Sequence, residues 1–210
     1  MTLAPAVAIS PAAAFARYQA IRPRMPLPAR QGAAEPVSSL GALTSAYDLF
    51  VLDSFGVLNL GETPIAGAVE RVAALRAAGK QVAVFTNAAA QPLSALLAKY
   101  HRLGFCLDER DVISSRMLAL KQLERDMPDG PVAVIGDVGA IEPAPLRRRA
   151  VGPRDPSDAI LFLDAAGWDH EAHEALARRL SGRSCPVFVA NPDLVAPREI
   201  GLSLEPGHFA

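Results

Sequence analysis

The stretch Asp48-Leu-Phe-Val-Leu-Asp53-Ser-Phe-Gly-Val-Leu58 constrains this chain more than any other. Leu49 to Leu52 are four consecutive apolar residues, the pattern of a parallel strand covered on both faces, and the run stops at a carboxylate before turning at Gly56. In open α/β sheets, ligands gather beyond the carboxyl ends of such strands, so the run predicts Asp53 at the rim of a binding site. A carboxylate there serves as a nucleophile, as a ligand for a hard cation such as Mg²⁺, or as both. The same residue also suits a solvated strand end that caps the next turn, and this stretch alone leaves both readings open.

Residues 59–87 extend the pattern into one βαβ unit. Gly61 and Pro64 mark turns, and residues 66–78 are amphipathic with Val69, Val72, Ala73 and Leu75 on the apolar face. Gly79 suits a helix C-cap, after which Gln81-Val-Ala-Val-Phe-Thr86-Asn87 reads as a second buried strand ending in a hydroxyl and an amide. A right-handed parallel connection puts Thr86 beside Asp53 at one rim, where a hydroxyl and backbone N–H groups suit a phosphate or another anion.

Composition narrows the partners. The 210 residues are 50% hydrophobic, enough for one large domain or two small ones, and a net charge of -1 with 20% charged residues gives no basic footprint for nucleic acid. No apolar run reaches the length of a membrane span and no signal-peptide pattern opens the chain, so a cytoplasmic location and no membrane partner are expected. Cys106 and Cys185 stand far apart without metal-site spacing and read as free, partly buried thiols.

Residues 1–44 form an Ala/Pro-rich extension in which 11–21 opens on a proline and predicts one short helix; Ala14, Tyr18 and Ile21, with Phe15 beside them, suggest that it packs on the main domain. Beyond the first βαβ unit, helices are expected over 92–103, 117–127 and 170–180, and strands over 111–115, 132–135, 159–163 and 187–190. Residues 140–157, with Pro143, Pro145, Pro153, Pro156 and the run Arg147-Arg148-Arg149, read as a loop with a solvated charged face.

Asp53-Ser54-Phe55-Gly56-Val57-Leu58 and Phe85-Thr86-Asn87 together resemble the first two motifs of the haloacid dehalogenase superfamily, and Thr63-Pro-Ile-Ala-Gly-Ala68 looks like a segment of its phosphatase-like class IIA. The resemblance implies an α/β fold: a Rossmann-like parallel core, residues 45–116, with an inserted α/β cap at about 117–200 and a return to the core from 201 to 210. It further implies Asp53 as the nucleophile of an aspartyl-phosphate, Mg²⁺ held by Asp53 and the backbone carbonyl of Phe55, and Thr86 and Asn87 gripping the transferred group. Asn191-Pro-Asp193-Leu-Val-Ala-Pro197 resembles a class IIA cap segment, which makes Asn191 and Asp193 candidate substrate-binding residues.

One departure bears on chemistry. The phosphatases of the superfamily carry a second Asp two residues after the nucleophile as general acid and base, whereas this chain has Phe55 there; dehalogenases carry an aromatic residue, usually Tyr. Without that acid, hydrolysis of an ordinary phosphate monoester is expected to be weak, since general acid–base help contributes about 10² to 10⁴ in rate. The third-motif Lys and the fourth-motif acids of the family would lie beyond residue 210, so the core is expected to be incomplete and its strand edge open to a second copy of the chain. Gly136-Asp137, with Glu142, mimics the fourth motif and Lys121 the third, although a cap strand is the better match. Asp164 and Asp169 follow cap strands, with helix capping the simpler role for Asp169, and the four histidines read as surface or core residues. The expected function is Mg²⁺-dependent hydrolysis of a small phosphorylated metabolite; a non-catalytic or partner-dependent binding module and a metal-independent dehalogenase are the alternatives.

Overall fold

The structure, a computed structural model, describes residues 9–26, 32, 35–127, 129–137, 144–198 and 201–210. Helix α1, Pro11–Ile21, starts at Ser10, whose hydroxyl accepts the Ala13 N–H at 3.2 Å, with proline in the first helical turn. Those are the bounds the sequence predicts. Ala14 is buried and the Tyr18 hydroxyl accepts the Leu194 N–H, so the helix docks near the C-terminal elements. Phe15, expected to pack beside Ala14, is 65% exposed, because its position turns it away from that contact.

The first sheet joins β1, Leu49–Asp53, to β4, Gln81–Thr86, and β5, Val112–Ser114, in the order β1-β4-β5, all parallel. Between the first two lie the short hairpin β2, Asn59–Leu60, and β3, Thr63–Pro64, and helix α2, Ala68–Ala77; α3, Leu93–Arg102, connects β4 to β5. Phe50, Leu52, Val82 and Val84 face inward against Val72 and Leu75 of α2 and Leu96 and Tyr100 of α3. The opposite face does not meet the expectation of a doubly covered sheet: Leu49, Val51 and Phe85 are each about half exposed, and β1 is an edge strand among the described residues. An unbroken apolar run registers the environment a strand suits, and here only alternate side chains are covered.

The second sheet obeys the expectation the first one breaks. Helix α4, Ser115–Asp126, leads to β6, Val132–Ile135; α5, Ala144–Arg149, runs into β7, Ala150–Val151; then come β8, Ala159–Phe162, α6, His170–Leu180, and β9, Val187–Val189. The order is β7-β6-β8-β9, all parallel, and every residue of β6 and β8 is buried. Leu120, Leu123 and Leu146 pack in one cluster on this sheet, and Leu176, Leu180, Leu204 and Phe209 in a second. An antiparallel pair, β10, Val195–Pro197, and β11, Leu202–Leu204, closes the chain together with the turn Pro206–His208.

Of the range 140–157 expected to be a loop, residues 140–143 lie outside the described residues, and the part from 144 is not wholly a loop. The triple-arginine run ends α5, and Arg149 donates to the backbone carbonyls of Met127, Asp129 and Gly130 instead of lying in solvent. A guanidinium reaching the free carbonyls past a helix end satisfies groups that would otherwise lack partners. Of the two thiols, Cys106 is exposed and Cys185 half-buried. No described helix is long and apolar enough to cross a membrane.

His170, His173 and His208 gather around Phe209, with the rings of His170 and His208 5.5 Å apart. Burial, reinforced by His170, Arg17 and His173, pushes the His208 imidazole below its usual pKa, and its Nδ1 is buried without a hydrogen-bond partner among the described residues. The unfolded chain therefore binds the proton more readily, and stability falls as pH drops from the ordinary histidine range through the lowered folded value. Urea unfolding at pH 7.5 and 5.5 should show a loss at the lower pH that His208→Gln reduces; an equal loss in both proteins would mean that His208 is not responsible.

Candidate active site

The parallel register pairs Asp53 with Phe85 and Thr86 with Ser114, so β1 and β4 deliver Asp53 and Thr86 to one rim as the sequence predicts. Beyond Asp53 the backbone folds tightly: the Ser54 carbonyl accepts the N–H groups of Val57, Leu58 and Asn59, and Gly56 takes φ 83°, a region that favours glycine. Below the turn, the Tyr100 hydroxyl donates to Ser54 Oγ at 2.8 Å, Ser54 donates to Asn59 Oδ1, and Asn59 donates to the Gly61 carbonyl. Three buried polar side chains thus satisfy one another and fix the loop that carries Phe55. The Ser54 N–H donates to Asp53 Oδ1 at 2.7 Å, which orients the carboxylate and leaves Oδ2 outside that bond.

After β4, Thr86 is buried and its Oγ1 accepts the Ala88 N–H. Asn87 Nδ2 donates to Asp193 Oδ2 at 3.0 Å, a link between residues 106 positions apart. The buried Arg116 of α4 holds the same loop from below through the Ala89 carbonyl. Asn191 is buried: its Oδ1 accepts the Asp193 N–H and its Nδ2 donates to Glu205, so it shapes the loop that presents Asp193. The turn at Gly207 packs on that loop so closely that a Cβ there would lie 2.0 Å from the Pro192 carbonyl oxygen.

These groups line one cavity of about 340 Å³, shared by Asp53, Phe55, Thr86, Asn87, Asn191 and Asp193. All six sequence candidates are therefore together. Sequence reasoning passed over four further residues here: Glu62, Lys99, Arg198 and Glu205. Lys99 Nζ lies 4.7 Å from the centre of the Phe55 ring and 3.2 Å from Glu62, while the Arg198 guanidinium lies 5.8 Å from the same ring and 3.0 Å from Glu205. Burial raises the Asp193 carboxyl above the usual range, with the Asn87 bond opposing and the charge of Asp53 adding to the rise. Burial likewise raises Glu205, against the pull of Ser203 and Arg198.

Asp164 also lines this cavity, and its carboxylate accepts the Ala166 N–H; Asp169 accepts the Ala172 N–H as the N-cap of α6. Gly136 and Asp137 follow β6 and line a different cavity on the second sheet, and Lys121 is exposed beside a third, so neither mimic of the later motifs reaches Asp53. Glu142 lies outside the described residues. For a divalent cation, no group of three or more His, Cys, Asp or Glu that could hold a metal ion occurs among the described residues. The Asp53 carboxylate with the Phe55 carbonyl still suits Mg²⁺, which is commonly held by one or two carboxylates with water and substrate oxygens completing its shell.

A family model described as haloacid dehalogenase-like hydrolase matches residues 50–144. Glycerol-3-phosphate phosphatase of Gallus gallus is 28% identical over 185 residues, which cover 78% of this chain; the match spans 59% of that protein's length. A possible sugar phosphatase from Cytophaga hutchinsonii superposes with a TM-score of 0.67 at 22% identity, over 84% of this chain and 66% of its own. Glycerol phosphate phosphatase from Mycobacterium tuberculosis, solved in complex with magnesium, gives 0.61 at 24% identity, over 80% and 50%. Residues 50–144 therefore carry a pattern similar to that of haloacid dehalogenase-like hydrolases, and the chain shares its fold with these solved phosphatases while spanning about half to two thirds of their length.

Proposed function

We propose that the chain hydrolyses a small phosphorylated metabolite through an aspartyl-phosphate on Asp53, with the four-stranded sheet and its helices serving as the cap. The observation that carries this reading is the shared cavity in which Asp53 and Thr86 stand on adjacent strand ends, closed over by Asp193 through Asn87. Asp53 Oδ2 attacks phosphorus while the Thr86 hydroxyl and the N–H groups that follow it hold the phosphoryl oxygens. The ester P–O bond breaks, and the leaving oxygen takes a proton from Asp193, whose raised carboxyl retains one more readily than an ordinary aspartate. Asp193 then accepts a proton from the water that hydrolyses the acyl phosphate, which restores both groups.

Asp53 and the Phe55 carbonyl would hold Mg²⁺, which when bound offsets the negative charge of the phosphoryl group. The Phe55 ring takes no part in proton transfer. The phosphatases among the relatives support phosphate as the leaving product, while an aromatic residue at position 55 keeps a halide in view. The test is an assay of both products: phosphate release from aryl and alkyl phosphates with Mg²⁺, abolished by EDTA and restored by Mg²⁺, is expected. Halide release without metal would replace this reading with dehalogenation, and a folded sample that turns over neither substrate would leave a binding module.

A further inference from the structure

Lys99 occupies a position where helix α3 would be expected to carry an apolar residue. It follows Leu96 by three and precedes Tyr100 by one on the buried side of the helix, and it is only 5% exposed. An ammonium is costly to enclose unless it is paired, and its carboxylate partner Glu62 is 62% exposed, so much of that attraction is screened by solvent. It also lies against the face of Phe55. A ring face attracts a cation without neutralising it. An aspartate at position 55 would instead set a full negative charge near the same ammonium and quench it.

Resting on the phosphatase reading above, we propose that Lys99 is the residue that receives the anionic oxygens of the substrate phosphoryl group, with Phe55 as the platform against which the ammonium lies and which adds no neutralising charge. Substitution of an aromatic residue for a carboxylate then has a positive consequence for the site. Asp53 and a phosphate dianion repel each other, and a cation lining the same cavity offsets that repulsion. Arg198 is less suited to this role although it lies over the same ring. Its Nη2 is committed to Glu205 and its Nε to Ser203 Oγ at 2.8 Å, and its side chain is nearly half exposed. An ammonium has three N–H donors, so Lys99 can engage a phosphate while it keeps Glu62.

The test is calorimetric titration of inorganic phosphate into the full chain with Mg²⁺ present, alongside circular dichroism. Lys99→Met, which keeps the length and suits the buried position, should fold as wild type and weaken phosphate binding by about tenfold or more, the loss of one charge-assisted contact. Lys99→Arg should recover most of that affinity, and Glu62→Gln should leave it equal or tighter. In turnover, the loss in Lys99→Met should fall on KM at least as heavily as on kcat. Equal phosphate affinity in wild type and Lys99→Met, or no binding by wild type, would overturn the proposal. Lys99-dependent binding without turnover would uphold it and defeat the phosphatase reading; turnover that needs Asp53 and ignores Lys99 would do the reverse.

Discussion

Asp53→Asn is expected to lower Mg²⁺-dependent phosphate release from an aryl phosphate by on the order of 10³-fold or more, the scale on which removal of a catalytic nucleophile is felt. The amide is neutral and lacks the nucleophilic oxygen, so the loss should appear in kcat and in kcat/KM alike. Folding should not be affected. Asp53 is exposed, and the one described hydrogen bond it makes, from the Ser54 N–H, can be accepted equally by the amide oxygen. An aryl phosphate isolates the nucleophile, since its leaving group departs without a proton. A folded variant that retains most of its activity would remove Asp53 from the chemistry.

Asp193→Asn should divide substrates by their leaving groups. Alkyl phosphates expel a strongly basic oxygen and need a proton, so their hydrolysis should fall by about 10² to 10⁴, the usual scale of general acid–base help. Aryl and acyl phosphates should change little. The pH profile carries the sign of the same effect: because the Asp193 carboxyl is raised, the alkyl-phosphate rate in wild type should decline as pH rises through that value, and Asp193→Asn should lose this limb. The asparagine can still meet Asn87, which keeps the loop contact and separates proton supply from positioning. An equal loss on both substrate types would assign Asp193 a positioning role only.

The part of the molecule that sequence discloses is the part governed by local periodicity. Helices α1 and α6 begin and end where a proline, a capping Ser10 or Asp169 and an apolar face put them, and the strand-end pair Asp53 and Thr86 follows from one βαβ unit. Helix α2 starts later than residue 66, since Gly67 at φ 82° lies before it. Helix α5 was hidden by the prolines around it, which are tolerated at a helix start and whose warning is only statistical.

The two cations over Phe55 had no local signal. Lys99 and Arg198 are 99 positions apart, and each reads as an ordinary surface charge until the fold turns both toward one ring. The same holds for Asp193 and Asn87: one came from a segment pattern and the other from a strand end, but their hydrogen bond is a property of how the two sheets meet. The exposed row Leu49, Val51 and Phe85 marks the opposite limit, since an apolar run states what a strand prefers to touch and carries no information on what does touch it.

The most direct test is capture of the covalent intermediate. The full chain is mixed with an aryl phosphate and Mg²⁺, quenched in acid within one turnover, treated with borohydride to trap an acyl phosphate, and mapped by peptide mass spectrometry. Modification confined to Asp53, and absent from Asp53→Asn, is the expected result. Phosphate release by a folded sample with no trapped adduct at Asp53, or with the adduct on another residue, would contradict an aspartyl-phosphate at this strand end.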